Sequence, residues 1–140
     1  MKTVDEISSD EPVRAAGPLS VLVVDDESAV RRFVVRVLER EGYAVSEAKD
    51  GAEAMEVLKR EPTVFSVVVS DIVMPRVNGV ELMRELSVLR PDLPVILMSG
   101  YATAALAELG IAAPCSILPK PFPSERLIEE VRRCARKIPR

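Results

Sequence analysis

From Ser20 onward, short apolar runs rich in Val and Ile alternate five times with amphipathic segments of helical period, and this alternation constrains the fold more than any other feature. The run SVLVVDD, 20–26, is apolar without a break until its two acids. That is the pattern of a strand buried on both faces, which belongs to parallel sheets covered by helices. A first helix is expected from Ser28 to Glu41: Val30, Phe33, Val34, Val37 and Leu38 follow the i, i+3, i+4, i+7, i+8 spacing of an inward face, and Gly42 stops it. Arg31, Arg32, Arg36 and Arg40 fall on its other faces and read as solvated. The pattern continues with strand YAVSEA, a helix from Gly51 to Lys59, strand VVVSD ending at Asp71, and a helix from Val80 to Leu89. A strand within PVILMS, a weaker helix from Ala102 to Leu109, strand CSILP and a last helix from Ser124 to Lys137 complete it. In the last helix Leu127, Ile128, Val131 and Cys134 are expected to face inward. Such alternation predicts a doubly wound α/β sheet with right-handed crossovers.

At 140 residues the chain is the size of one domain. Residues 1–18, mixing acids, Ser, Pro and Gly without either period, read as a disordered leader, leaving 19–140 as the folded domain. With 48% apolar residues but only two Tyr, three Phe and no Trp, the core must be aliphatic. A net charge of −3 gives no electrostatic reason for direct nucleic-acid binding. No apolar run approaches the roughly 20 residues that a helix needs to cross a bilayer. Cys115 and Cys134, far apart and without a CxxC pattern or a secretory signal, read as free core thiols in a reducing cytoplasm. The chain has no histidine, so a histidine phosphodonor, an imidazole metal site and a Ser-His-Asp triad within it are excluded.

Ligand crevices of open parallel sheets lie beyond the carboxyl ends of the strands. There the first strand ends in Asp25 and Asp26, the third in Asp71, the fourth in Ser99 and the fifth in Lys120. Three carboxylates converging on one edge repel one another unless a cation sits among them. An all-oxygen donor set favours Mg²⁺, with Mn²⁺ as the alternative. Lys120 adds a fixed positive charge and Ser99 a hydroxyl, so the set suits a carboxylate that accepts a phosphoryl group. Taken singly, Asp25 and Asp26 can also be helix caps, Ser99-Gly100 a turn, and Lys120 a surface lysine.

The motifs VLVVDDE, VVSDIVMPRVNG, ILMSGYA and LPKPF, in that order, resemble the receiver domains of two-component response regulators over about Leu19–Ile138. The resemblance implies a flavodoxin-like (βα)5 sandwich with sheet order 2-1-3-4-5. It implies that Asp71 is the phosphoacceptor, charged by a histidine kinase or phosphotransfer protein. Asp26 and Asp71 would ligate Mg²⁺ directly, Asp25 through water, and the main-chain carbonyl of Val73 would be a further ligand. Ser99 matches the switch hydroxyl and Lys120 the lysine that pairs with the phosphoryl group, with a cis Lys120-Pro121 bond. Signalling would follow from altered protein binding through the fourth helix, fifth strand and fifth helix. One position departs from the family: Ile117 stands where an aromatic switch residue is usual, and Tyr101 reads equally as a substitute on the same face or as an exposed surface tyrosine. Met1 and the leader favour a free-standing regulator over a domain derived from a hybrid kinase. The alternatives are a Mg²⁺-dependent hydrolase forming an aspartyl phosphate, disfavoured because Val73 stands where such phosphatases place a second acid, and a phosphorylation-independent pseudo-receiver. A nucleotide-binding domain lacks its GxGxxG or GxxxxGK loop.

Overall fold

The computed structural model describes residues 19–61, 65–74, 78–100 and 114–135. Its elements are β1 (Ser20–Val24), α1 (Ser28–Arg40), β2 (Ala44–Ala48), α2 (Gly51–Arg60), β3 (Phe65–Asp71), α3 (Gly79–Leu89), β4 (Val95–Ser99), β5 (Ser116–Pro119) and α4 (Ser124–Ala135). The five strands form one parallel sheet in the order β2-β1-β3-β4-β5, as the alternation and the resemblance implied. The leader at 1–18, the helix expected at 102–109 and Tyr101 lie outside the described residues.

Strand periodicity sorts the core into two layers. Val21, Val23, Val67, Val69, Ile96, Met98 and Leu118 point to the face covered by α1 and α4. Leu22, Val24, Val68 and Leu97 point to the face covered by α2 and α3. The aliphatic core is thus split by the sheet, and the central strands β1, β3 and β4 are buried on both sides. Gly42 closes α1 with φ +93°, a conformation that a Cβ would oppose. Asn78 caps α3 through a reciprocal box with Glu81, both bonds at 2.9 Å, and Asp50 caps α2 through the Glu53 N–H at 2.8 Å.

Two expectations fail. Phe33 does not enter the core: it is 43% exposed and lies against Phe122, ring centroids 6.4 Å apart. Val34, Val35, Val37 and Leu38 already fill the inward stripe of α1, and Phe33 sits at its edge. Nor are the cysteines free thiols, for Cys115 and Cys134 form a disulfide with Cα atoms 6.1 Å apart. Sequence distance concealed a tertiary neighbourhood: α4 runs back antiparallel to β5 across the sheet face, bringing its last turn to the residue that precedes the strand.

Candidate functional site

Parallel pairing delivers the polar residues to one edge. The Asp25 N–H donates to the Ala48 carbonyl at 3.1 Å, the Ile72 N–H to Met98 at 3.3 Å and the Lys120 N–H to Ser99 at 2.8 Å, so each chain is held until it has passed its acid or base. Asp71 closes β3 opposite Met98, one residue before Ser99. Asp25 is fully buried, Asp71 and Ser99 nearly so, whereas Asp26 is exposed. The two neighbouring acids thus differ in burial while keeping their carboxylates close.

Asp25, Asp26 and Asp71 each offer a carboxylate oxygen, all within 4.8 Å of one another. Lys120 Nζ donates to Asp71 Oδ1 at 3.0 Å and stands 3.6 Å from Asp25 Oδ2, close enough for ionic attraction but too far for a hydrogen bond. Asp25 Oδ1 accepts the Glu27 N–H at 2.9 Å, while its buried Oδ2 has no hydrogen-bond partner among the described residues. Burial pushes the Asp25 carboxyl above its ordinary pKa, and the Asp71 and Asp26 charges push the same way against the Glu27 N–H and Lys120. Burial works against the Lys120 ammonium, but its hydrogen bond to Asp71 and the charges of Asp25, Asp71 and Glu27 together hold its pKa above the usual lysine value.

Two residues that support the acids were not legible as such. Arg31, assigned to a solvated face, reaches back so that its Nη1 donates to the Asp25 carbonyl at 2.8 Å while its Nε pairs with Glu47 at 2.9 Å. Its place in the first turn of α1, directly after the acids, was the available signal. Gly79 fits against the Asp71 strand end: its N–H donates to the Ile72 carbonyl at 2.8 Å, and a Cβ there would meet the Asp71 carbonyl and stand 2.9 Å from Ile72 Cα. Asn-Gly before a helical run signalled the cap but not this close approach. Val73 is exposed, and the Lys120-Pro121 bond is cis. Ile117, in register with Leu97, is partly buried against the layer covered by α2 and α3. Beside Lys120, a concavity of about 470 Å³ is lined by Ala29, Val30, Phe33, Pro121 and Phe122.

The model of the response regulator receiver domain family matches residues 21–132. The chain belongs to that family. It is 38% identical over 112 residues to the response regulator receiver protein CpdR of Brucella abortus, covering 79% of this chain and 92% of that one. It is 42% identical over 123 residues to the sensor kinase CckA of the same organism, covering 87% of this chain but 13% of the kinase. The response regulator MprA of a Mycobacterium species is 36% identical over 121 residues, with 86% and 52% covered. The chain therefore spans only part of the length of several curated relatives. Among solved structures, a receiver domain from Clostridium thermocellum superposes with TM-score 0.79 at 25% identity, covering 85% of this chain and 95% of that one. The receiver domain of the hybrid histidine kinase CckA gives TM-score 0.70 at 33% identity, covering 83% and 98%. The receiver domain described here carries no helix long and apolar enough to cross a membrane among its described residues.

Proposed function

We propose that this receiver domain accepts a phosphoryl group on Asp71, from the phosphohistidine of a histidine kinase or phosphotransfer protein, and signals by altered binding to another protein. The observation that carries this is a nearly buried Asp71 carboxylate gripped by Lys120 at 3.0 Å inside a three-carboxylate cluster. An Asp71 oxygen attacks phosphorus as the bond from phosphorus to the donor imidazole nitrogen breaks. Lys120, already aimed at that carboxylate, neutralises charge on the transferring group, and the Ser99 hydroxyl donates a hydrogen bond to it.

The residues also suit a divalent cation. The donors are hard oxygens, and the buried Asp25 Oδ2 accepts no hydrogen bond among the described residues. Asp26, Asp71 and the Val73 carbonyl would hold Mg²⁺, or Mn²⁺ in its place, with Asp25 acting through water. When bound, the metal supplies positive charge to the phosphoryl oxygens. The concavity between α1 and the Pro121-Phe122 turn is where the phosphodonor docks. The downstream partner binds the face formed by the fourth helix of the family fold, β5 and α4. The domain has no catalytic turnover beyond its own phosphorylation and dephosphorylation, works in the cytoplasm, and needs neither nucleic acid nor membrane.

With Mg²⁺ and acetyl phosphate, intact-mass spectrometry should show one acid-labile phosphoryl group on the native chain and none on Asp71→Asn. Equal labelling of the variant overturns the assignment.

A further inference from the structure

The Cys115–Cys134 disulfide stands at the amino end of the sheet, opposite the acids, yet the 19-residue separation it closes contains all of β5, the Lys120-Pro121 turn and most of α4. Lys120 therefore rides on a covalently closed loop. Among the described residues β5 is an edge strand of four residues that pairs with β4 alone. Its leading end is held by the Cys115 N–H on the Val95 carbonyl at 2.8 Å, and by Arg133 Nη2 on the Cys115 carbonyl at 3.1 Å. The same Arg133 nitrogen is shared with Glu130 at 2.6 Å. The disulfide is the one covalent tie among these contacts, and its two sulfurs differ in access. Cys134 is fully buried, whereas Cys115 is only partly so.

We propose that Cys115 and Cys134 are a reversible redox pair whose state sets how firmly β5, and through it Lys120, is held beside Asp71. The effect on phosphoryl acceptance rests on the reading of Asp71 given above; the redox pair itself does not. The reductant is a dithiol. One of its thiolates attacks the accessible Cys115 sulfur, and Cys134 leaves as a thiolate and takes a proton. The second reductant thiolate then attacks the mixed disulfide and releases Cys115 as a thiol. Two electrons and two protons pass to the pair, and the reductant becomes a disulfide. The reduced domain keeps its fold because Leu118, Leu127 and Val131 remain fully buried in the α1 and α4 layer without help from sulfur. What it loses is the closure of the loop, so the loosening is confined to β5 and α4.

The test uses the full 140-residue chain. Under native conditions, iodoacetamide should label no cysteine in oxidised glutathione and, after dithiothreitol, Cys115 readily and the buried Cys134 more slowly, with the disulfide returning on reoxidation. Reduction should speed amide exchange at Leu118 and Lys120 by about tenfold or more beyond any change at Leu22 and Val68, which report global unfolding. It should also lower the melting temperature by about 10 °C. Labelling of Asp71 by acetyl phosphate should slow severalfold. Cys115→Ser should behave as permanently reduced; should that variant not fold, the chemically reduced native chain decides. A pair that reacts only after unfolding, that never oxidises, or whose reduction speeds exchange uniformly across the sheet overturns the proposal. Absence of phosphoryl labelling in both redox states, with the exchange response intact, would instead overturn the reading of Asp71 and leave the redox pair standing.

Discussion

Asp25→Asn should make the metal-free domain more stable. The buried Oδ2 of Asp25 has no hydrogen-bond donor among the described residues, and the carboxylate faces Asp26 and Asp71. An orphaned buried acceptor costs about 1–3 kcal/mol, more when charged. Against this, the substitution gives up attraction to Lys120, but that ammonium is 3.6 Å away and already committed to Asp71 at 3.0 Å, so the loss is about 1 kcal/mol. The asparagine Oδ1 keeps the Glu27 N–H, and its Nδ2 puts a donor where an acceptor faced two anions. The net gain is about 1–2 kcal/mol, or roughly 5 °C in melting temperature. The pH dependence follows from the raised Asp25 pKa. The folded state holds that proton more tightly than the unfolded one, whose value is 3.8, so the native chain gains stability as pH falls from neutrality through the folded-state pKa. The advantage of the variant therefore shrinks on acidification. With Mg²⁺ at twenty times its dissociation constant the native chain gains about 1.8 kcal/mol, which closes the gap or reverses it. Calorimetric scans in EDTA at pH 7 and pH 4, and in Mg²⁺, measure all three. A variant less stable than the native chain in EDTA at pH 7 would refute the claim that burial and like charge dominate at Asp25.

Lys120→Met should destabilise the metal-free domain by about 1 kcal/mol at pH 8, since it leaves Asp71 and Asp25 without their cation. Because the Lys120 pKa is raised, its contribution is complete below the unfolded value of 10.5 and is lost as pH rises through the folded-state pKa. Chemical denaturation at pH 8 and pH 11 should show the gap closing. Gly79→Ala drives a methyl group into the Asp71 carbonyl and to 2.9 Å from Ile72 Cα, both backbone atoms. It should cost about 2–3 kcal/mol in urea denaturation and disturb the Asp71 amide resonance. Asn78→Ala removes the capping box of α3 and should cost about 1 kcal/mol, with faster amide exchange limited to the first turn of that helix.

Much of the molecule was determined by the sequence alone. The alternation of apolar strands with amphipathic helices set the class of fold, because each element must bury one face against the next kind. Acids closing apolar runs had to emerge at the carboxyl edge, which gathers Asp25, Asp26, Asp71, Ser99 and Lys120 at one end of the sheet. Tertiary structure decided what local pattern does not encode. Asp25 and Asp26 are equivalent as letters, but at the folded end of β1 one is buried and the other exposed. Phe33 obeys the helical period yet lies outside, because the apolar stripe of α1 was wider than the surface that the sheet could cover. Arg31 and Gly79 support the acid site through contacts made only when α1 and α3 dock on the strand ends. The cysteines carry no local signal of their pairing: α4 must pack across the sheet before Cys134 can meet Cys115. Periodicity reports which face of an element is apolar, whereas contacts between elements depend on lengths, register and crossing directions that only the assembled core sets.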